Sequence, residues 1–266
     1  MEKIALIAGN GKLPLLFAQA AKNTGVYLVA IAIKEETEKD LAAAVDKMYW
    51  ISVGQLKMLI EILKKEQVKK AIMVGQIRHR LLFSDIELDD ELKILFSQLK
   101  DKRTDTILGA VAKRISALGI ELINSTTFIK DHLVPKGIFT KCSPSDIQWQ
   151  DIEFGQNIAK AVAALDIGQT VVVKDKVVLS IEAIEGTDLA IARGSAYAKT
   201  GAIVVKVSKP KQDMRFDVPL IGKGTIETLI KNKIAVLAIE ADKTLFLDKD
   251  YVLDKANKHN ICIVAV

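Results

Sequence analysis

Three segments of this 266-residue chain carry side chains whose types and spacing could do chemistry. The first is Gly9-Asn10-Gly11-Lys12-Leu13-Pro14. Glycines there permit a tight turn, and N–H groups at a helix start suit a phosphate, making these residues a candidate anion site. Pro14 stands where the dinucleotide fingerprint needs its third glycine, and GxxxxGK[ST] is absent. A plain strand-to-helix turn would use the same residues.

The second segment is Lys209-Pro210-Lys211-Gln212-Asp213-Met214-Arg215-Phe216-Asp217-Val218-Pro219. If extended, Lys211, Asp213, Arg215 and Asp217 share one face, and Met214, Phe216 and Val218 the other. Two carboxylates among cations could hold Mg²⁺ and neutralise a phosphoryl group. Spacing alone favours a half-buried edge strand with a solvated charged face. The third segment is Glu185-Gly186-Thr187-Asp188. Thr187 reads as a helix N-cap, and Asp188 in the first turn suits the helix dipole. Capping explains both, although the end of a strand is where α/β folds place ligands. In Asp166-Ile167-Gly168-Gln169, Gly168 reads as a helix-terminating glycine.

The counts narrow the chemistry. Two cysteines, Cys142 and Cys262, are too few and too distant in sequence to suggest a disulfide framework, the absence of CxxC removes Cys-rich zinc modules, and Cys262 reads as a small core residue. His79, His132 and His259 lack metal-ligand spacing, which removes most transition-metal hydrolases and leaves oxygen ligands for any metal. The N-terminus has no basic region followed by a long apolar stretch. The longest apolar run, 26–33, is far short of a membrane span. A cytoplasmic protein of a reducing compartment is expected. Net charge is +5, but the lysines are distributed and aromatics are only 5%, so no nucleic-acid partner is expected.

These residues need elements to hold them. Lys3–Ala8, Tyr27–Ile33, Met48–Ser52 and Ala71–Val74 (ending at Gly75) read as strands, with Glu121–Ile123 after them. Helical patterns alternate with them at Leu13–Lys22, Gln55–Glu66, Asp90–Leu99 and Asp105–Leu118. The alternation predicts an N-terminal Rossmann-like parallel sheet with helices on both faces over 1–133. Pro135, Gly137 and Pro144 mark a linker over 134–150. A C-terminal mixed α/β domain over 151–266 follows. It opens on a helix from Phe154 to Leu165 and contains a hairpin turning at Lys174-Asp175-Lys176.

Taken together, the segments resemble the LpxI family of UDP-2,3-diacylglucosamine pyrophosphatases. The matching pieces are Ile7-Ala8-Gly9-Asn10-Gly11 with Leu13-Pro14, Gly54-Gln55-Leu56, Asp105 with Ile107-Leu108, and Leu165-Asp166-Ile167-Gly168-Gln169. The specific pieces are Glu182-Ala183-Ile184-Glu185-Gly186-Thr187-Asp188 and Lys209-Pro210 followed by Gln212 to Pro219. The family opening often has a glycine where Asn10 stands. The resemblance implies Mg²⁺-dependent hydrolysis of UDP-2,3-diacylglucosamine to UMP and 2,3-diacylglucosamine 1-phosphate, with the substrate held between two α/β domains. It implies Asp217 and Arg215 as catalytic residues, Asp217 acting as metal ligand or water-orienting base. Gly9, Asn10, Gly11, Lys12, Leu13, Gly75, Asp105, Gln169, Thr187, Lys209 and Gln212 are the implied substrate contacts. Asp188, Asp213 and Asp217 are the implied Mg²⁺ ligands.

A substrate with two fatty chains calls for an apolar slot beside the polar site. Lipid and positive charge together suggest weak association with the inner-membrane surface. A homodimer is compatible with the sequence without being argued by it. Two rival readings are a nucleotide-dependent oxidoreductase, disfavoured by the missing third glycine, and a non-catalytic nucleotide-sugar or lipid-binding protein.

Overall fold

A computed structural model describes residues 1–77, 87–101, 103–210 and 212–266. His79 and Lys211 lie outside the described residues. The chain divides into two compact units, Met1–Lys130 with Met214–Phe216, and Asp131–Asp213 with Asp217–Val266.

In the first unit β1 (Lys3–Ala8), β2 (Tyr27–Ile33), β3 (Lys47–Ile51), β4 (Lys70–Val74) and β5 (Glu121–Leu122) form one sheet. Its order is β3-β2-β1-β4-β5, parallel at every pairing. Past the lysines that open β1 and β4, the strands β1, β2 and β4 are apolar throughout because helices cover both faces. On one face Ala5, Ile7, Ile31 and Met73 pack against residues of α2 (Leu56–Glu66), α3 (Asp90–Ser97) and α4 (Thr104–Ser116). The alternate residues Ile4, Leu6, Leu28 and Ile72 are equally buried. On that side α1 (Leu13–Lys22), which touches β2 and β4, buries Phe17, Ala18 and Ala21. The expected doubly wound parallel sheet is therefore present. Glu66, the last residue of α2, is buried and accepts from Lys47 Nζ at 2.7 Å, Tyr49 Oη at 2.5 Å and Lys3 Nζ at 3.4 Å. The Lys47 and Tyr49 hydrogen bonds outweigh burial and hold its carboxyl down to about 2.

The second unit carries the mixed sheet. β6 (Gly137–Ile138), β7 (Thr170–Lys174), β8 (Val177–Ile181), β9 (Ile203–Lys206), β11 (Val236–Ile239) and β13 (Cys262–Ala265) lie in the order β6-β13-β11-β9-β7-β8. β9, β11 and β13 are mutually parallel, whereas β6 and the β7–β8 hairpin run antiparallel to their neighbours. β10 (Leu220–Ile221) and β12 (Leu245–Phe246) make a separate parallel pair. α5 (Asp146–Ala164) covers one face, where Ile152 and Ala159 meet Val171, Val173, Ile203 and Val205. On the other, α6 (Thr187–Ala198), α7 (Lys223–Lys231) and α8 (Lys249–Lys258) supply Ile191, Ile226 and Val252 against Val172, Val204 and Leu237.

Four local readings differ from the structure. α5 begins at Asp146, eight residues before Phe154, because Ser145 and Gln148 form a reciprocal capping box just after Pro144. Residues 134–150 accordingly hold β6 and the first turn of α5. The N-cap of α6 is Gly186, at φ 86°, and Thr187 is the first helical residue, its hydroxyl engaged elsewhere. The left-handed residue after α5 is Asp166, at φ 58°, and not Gly168. Finally, none of the described residues of 209–219 lies in a strand, and Pro210 and Met214 to Phe216 are in turns. Gln212 N–H donates to Lys209 O and Asp217 N–H to Asp213 O, so local bonds satisfy the backbone where an edge strand would need a partner. The hairpin is where it was expected. Asp175 and Lys176 both have positive φ, and buried Asp151 accepts both their N–H groups, at 2.9 and 2.7 Å.

Candidate active site

In the second unit, the antiparallel hairpin brings the start of β7 and the end of β8 to the edge where β9 ends. Thr170 pairs with Lys206, Val207 N–H donates to Gln169 O, and Glu182 N–H donates to Thr170 O. The Glu182 carboxylate accepts from Gln169 N–H at 3.2 Å and from the Thr187 hydroxyl at 2.8 Å. Lys206 Nζ donates to Thr187 Oγ1 at 3.3 Å. Among the described residues, Gln169 Oε1 is buried with no hydrogen-bond partner. Gly168 is required by close approach, since a Cβ there would stand 2.1 Å from Glu182 O.

The chain leaving β9 builds the next group. Lys209 Nζ lies 2.6 Å from Asp166 and 3.7 Å from Asp217. Gln212 accepts the Lys209 N–H through Oε1 at 2.7 Å. Its Nε2 donates to both the backbone oxygen and the carboxylate of Asp217. Gln212 thus orients Asp217 beside an ammonium. Arg215 belongs to the first unit, its guanidinium 5.9 Å from the Phe216 ring centre. Met214 O accepts both the N–H and the hydroxyl of Ser125 there, at 3.0 and 2.7 Å. Beyond Lys209, the Glu240 carboxylate takes Lys160 Nζ and both the N–H and hydroxyl of Ser208. Burial alone would raise the Glu240 pKa, but these donors hold it below its usual value.

The expected Mg²⁺ ligands are not brought together. Among the described residues no group of three or more His, Cys, Asp or Glu is arranged to hold a metal, and Asp188 is exposed in the first turn of α6. Asp213 and Asp217 are one turn apart, the Asp217 N–H donating to Asp213 O at 3.0 Å.

The first unit places Gly9, Asn10, Gly11 and Lys12 between β1 and α1, with Leu13 the first residue of α1, beside Gly75 just after β4. This is where the strand order reverses, the usual position of a ligand crevice. Here the two loops bind each other. Asn10 N–H donates to Gln76 O at 2.7 Å, Gln76 N–H to Asn10 O at 3.2 Å, and Gly9 N–H to Val74 O at 2.8 Å. A Cβ on Gly9 would meet Gln76 O at 2.7 Å, and one on Gly75 would meet Asn10 O at 2.8 Å. Each glycine is required by the other loop's backbone. Gly11, at φ 91°, has open space around it. Asn10 Nδ2 donates to Glu36 O at 3.1 Å, and Asp105 lies in the first turn of α4. Sequence reasoning did not single out Glu182 as a bonded carboxylate, nor Lys206, Lys160, Ser208 and Glu240. The available signal was position, since each but Lys160 ends or follows a strand at the carboxyl edge of the sheet.

The fold and these groups define a two-unit α/β protein with cations and carboxylates gathered at the carboxyl edge of a sheet. The models of the LpxI N-terminal and C-terminal domains match residues 3–132 and 135–264, and the chain belongs to the LpxI family. It is 28% identical over 280 aligned residues to the UDP-2,3-diacylglucosamine pyrophosphatase LpxI of Caulobacter vibrioides, covering 100% of this chain and 98% of that protein. Among solved structures, the biotin carboxylase domain of a thermophilic 2-oxoglutarate carboxylase matches 65% of the chain at 13% identity and TM-score 0.30. N5-carboxyaminoimidazole synthetase from Staphylococcus aureus matches 64% at 15% identity and TM-score 0.26. The chain spans only 35% and 37% of those two structures, and likenesses this distant carry no argument. Among the described residues no helix is long and apolar enough to cross a membrane.

Proposed function

We propose that this protein hydrolyses the pyrophosphate bond of UDP-2,3-diacylglucosamine, releasing UMP and 2,3-diacylglucosamine 1-phosphate for lipid A synthesis. The observation that carries the reading is the end-to-end correspondence with both LpxI domains. The bonding of Lys209, Gln212 and Asp217 into one group supports it.

Hydrolysis of a pyrophosphate requires neutralised oxygens and a positioned water more than covalent help from the protein. Lys209 and Arg215 supply positive charge for the phosphates. Gln169, whose buried Oε1 lacks a donor, and Thr187 are assigned to the substrate's polar groups. Within the first unit, the Gly9–Leu13 turn offers Gly11 and the start of α1 to an anion. Gly9 and Asn10 already donate their N–H groups to β4 and the loop after it. Asp217 takes the indispensable role, oriented by Gln212. Mg²⁺ would be held by Asp217 and Asp213 with the substrate's own oxygens, and would supply charge neutralisation at the phosphorus.

Purified protein incubated with UDP-2,3-diacylglucosamine, Mg²⁺ and detergent should release UMP, and EDTA should abolish the release. Folded protein that yields no UMP refutes the hydrolase assignment. Release that persists undiminished in EDTA refutes the Mg²⁺ requirement.

A further inference from the structure

We propose that Cys142 and Cys262 are a redox-responsive pair, closing an intramolecular disulfide when the protein meets hydrogen peroxide. They are the only two cysteines of the chain, 120 positions apart in sequence, and their sulfurs lie 2.6 Å apart. Two cysteines packed merely as small apolar residues need no more than van der Waals contact. This separation is well inside it.

The approach is built by backbone bonding. Gly137 and Ile138 pair antiparallel with Ala265 and Val264. Phe139 N–H then donates to Ile263 O at 2.9 Å, and Thr140 Oγ1 accepts the Ile263 N–H at 3.0 Å. The same hydroxyl donates to Cys142 O at 3.2 Å, while Lys141 N–H reaches Asn257 Oδ1 in α8 at 2.8 Å. Bonds at 137, 138, 139, 140 and 141 therefore hold the segment against β13 and α8, leaving Cys142 little freedom to move from its partner. Access is unequal. Cys262 is buried within β13, whereas Cys142 is half-buried and meets the oxidant first.

The chemistry balances with peroxide as the two-electron acceptor. The Cys142 thiolate attacks the O–O bond, forming a sulfenic acid and releasing one water after protonation. Cys262 Sγ then displaces the sulfenic oxygen as a second water, giving up its own proton as the S–S bond forms. Two thiols are oxidised and one peroxide is reduced to two waters. Burial, reinforced by the Cys142 contact, pushes the Cys262 thiol up to about 12. Raising the pH favours the second step, because the Cys262 thiolate is the attacking species.

The test treats the full-length protein with hydrogen peroxide at mildly alkaline pH, followed by denaturation and alkylation. The proposal expects titratable thiols to fall from two to none, with intact mass lower by two hydrogens and a mapped peptide joining Cys142 to Cys262. Dithiothreitol restores both thiols. Closing a loop this long raises the unfolding temperature by on the order of 10 °C. Cys142→Ser, altered at the half-buried position, keeps its fold and shows no such rise. The proposal is overturned if both thiols still titrate after oxidation, if Cys142 accumulates as sulfinic acid, or if the crosslink joins two molecules. It is equally overturned if Cys142→Ser shows the same thermal rise as the parent.

Discussion

Gly168→Ala tests how the second unit's polar edge is assembled. The added methyl would stand 2.1 Å from Glu182 O and 2.7 Å from the carbonyl carbon of Glu182. Non-bonded heavy atoms do not approach so closely, so one backbone must retreat by about 1 Å. Neither strand yields readily, because Val207 N–H is bonded to Gln169 O and Glu182 N–H to Thr170 O. Overpacking costs about 1–3 kcal/mol, and obstruction by backbone puts this position near the upper end. At about 2–4 °C per kcal/mol for a unit of this size, Tm falls by about 6–12 °C in calorimetry. Gly109→Ala is the control with the opposite sign. It lies inside α4 with nothing within 4 Å of the new methyl. Helix propensity then stabilises by about 0.5–1 kcal/mol. A Gly168→Ala protein melting within about 2 °C of the parent would refute the close-approach argument. UMP release should fall as well, since Glu182 holds both Gln169 and Thr187.

Asp217→Ala should lower UMP release by at least about 10²-fold. Its partly exposed ion pair contributes about 1 kcal/mol or less to stability, so near-normal turnover or a collapsed fold would each contradict the assigned role. Glu66→Gln should destabilise by about 1–2 kcal/mol at neutral pH, the full shift from 4.5 to about 2 being reduced by the exposure of Lys3 and Lys47. Because the folded pKa is depressed, the stabilisation is complete above pH 4.5 and disappears as pH falls toward 2. Denaturant titrations across that window should show the two proteins converging, and a gap constant with pH contradicts the ion-pair account. In flotation with anionic vesicles at low salt, part of the protein should rise with the lipid. Complete retention in the aqueous fraction removes the surface-association reading.

The parallel sheet was legible because β1, β2 and β4 are buried on both faces and so appear as continuous apolar runs between helical periods. The β7–β8 hairpin was legible from its polar turn. The start of α5 was missed because its signal is the Ser145/Gln148 cap and not apolar periodicity. The turns of 209–219 were invisible for a related reason. Alternating charge and apolar character is shared by strands and by loops whose backbone is satisfied locally, and Gln212 chooses between them through its side chain. At the candidate site, residue types were readable but partners were not. The pairing of Lys209 with Asp166 joins positions 43 apart, and that of Lys160 with Glu240 positions 80 apart. The glycine pair was half legible. Gly9 looked like a ligand-facing residue, while the structure gives it a neighbour in Gly75.

The chain supplies neither unit as one continuous stretch. After Asp213 it contributes Met214, Arg215 and Phe216 to the first unit and resumes the second at Asp217. A fragment cut after Lys130 would lack Phe216, which packs on the first unit's apolar cluster, and the Met214 carbonyl that satisfies Ser125. The second unit expressed alone would leave those three residues displaying an apolar ring and a guanidinium without their neighbours. Recombination that exchanged either half at the midpoint of the gene would separate Arg215 from the unit it belongs to. Exchange of either half alone would therefore remove the Met214–Ser125 bonds and the packing of Phe216 that the first unit relies on.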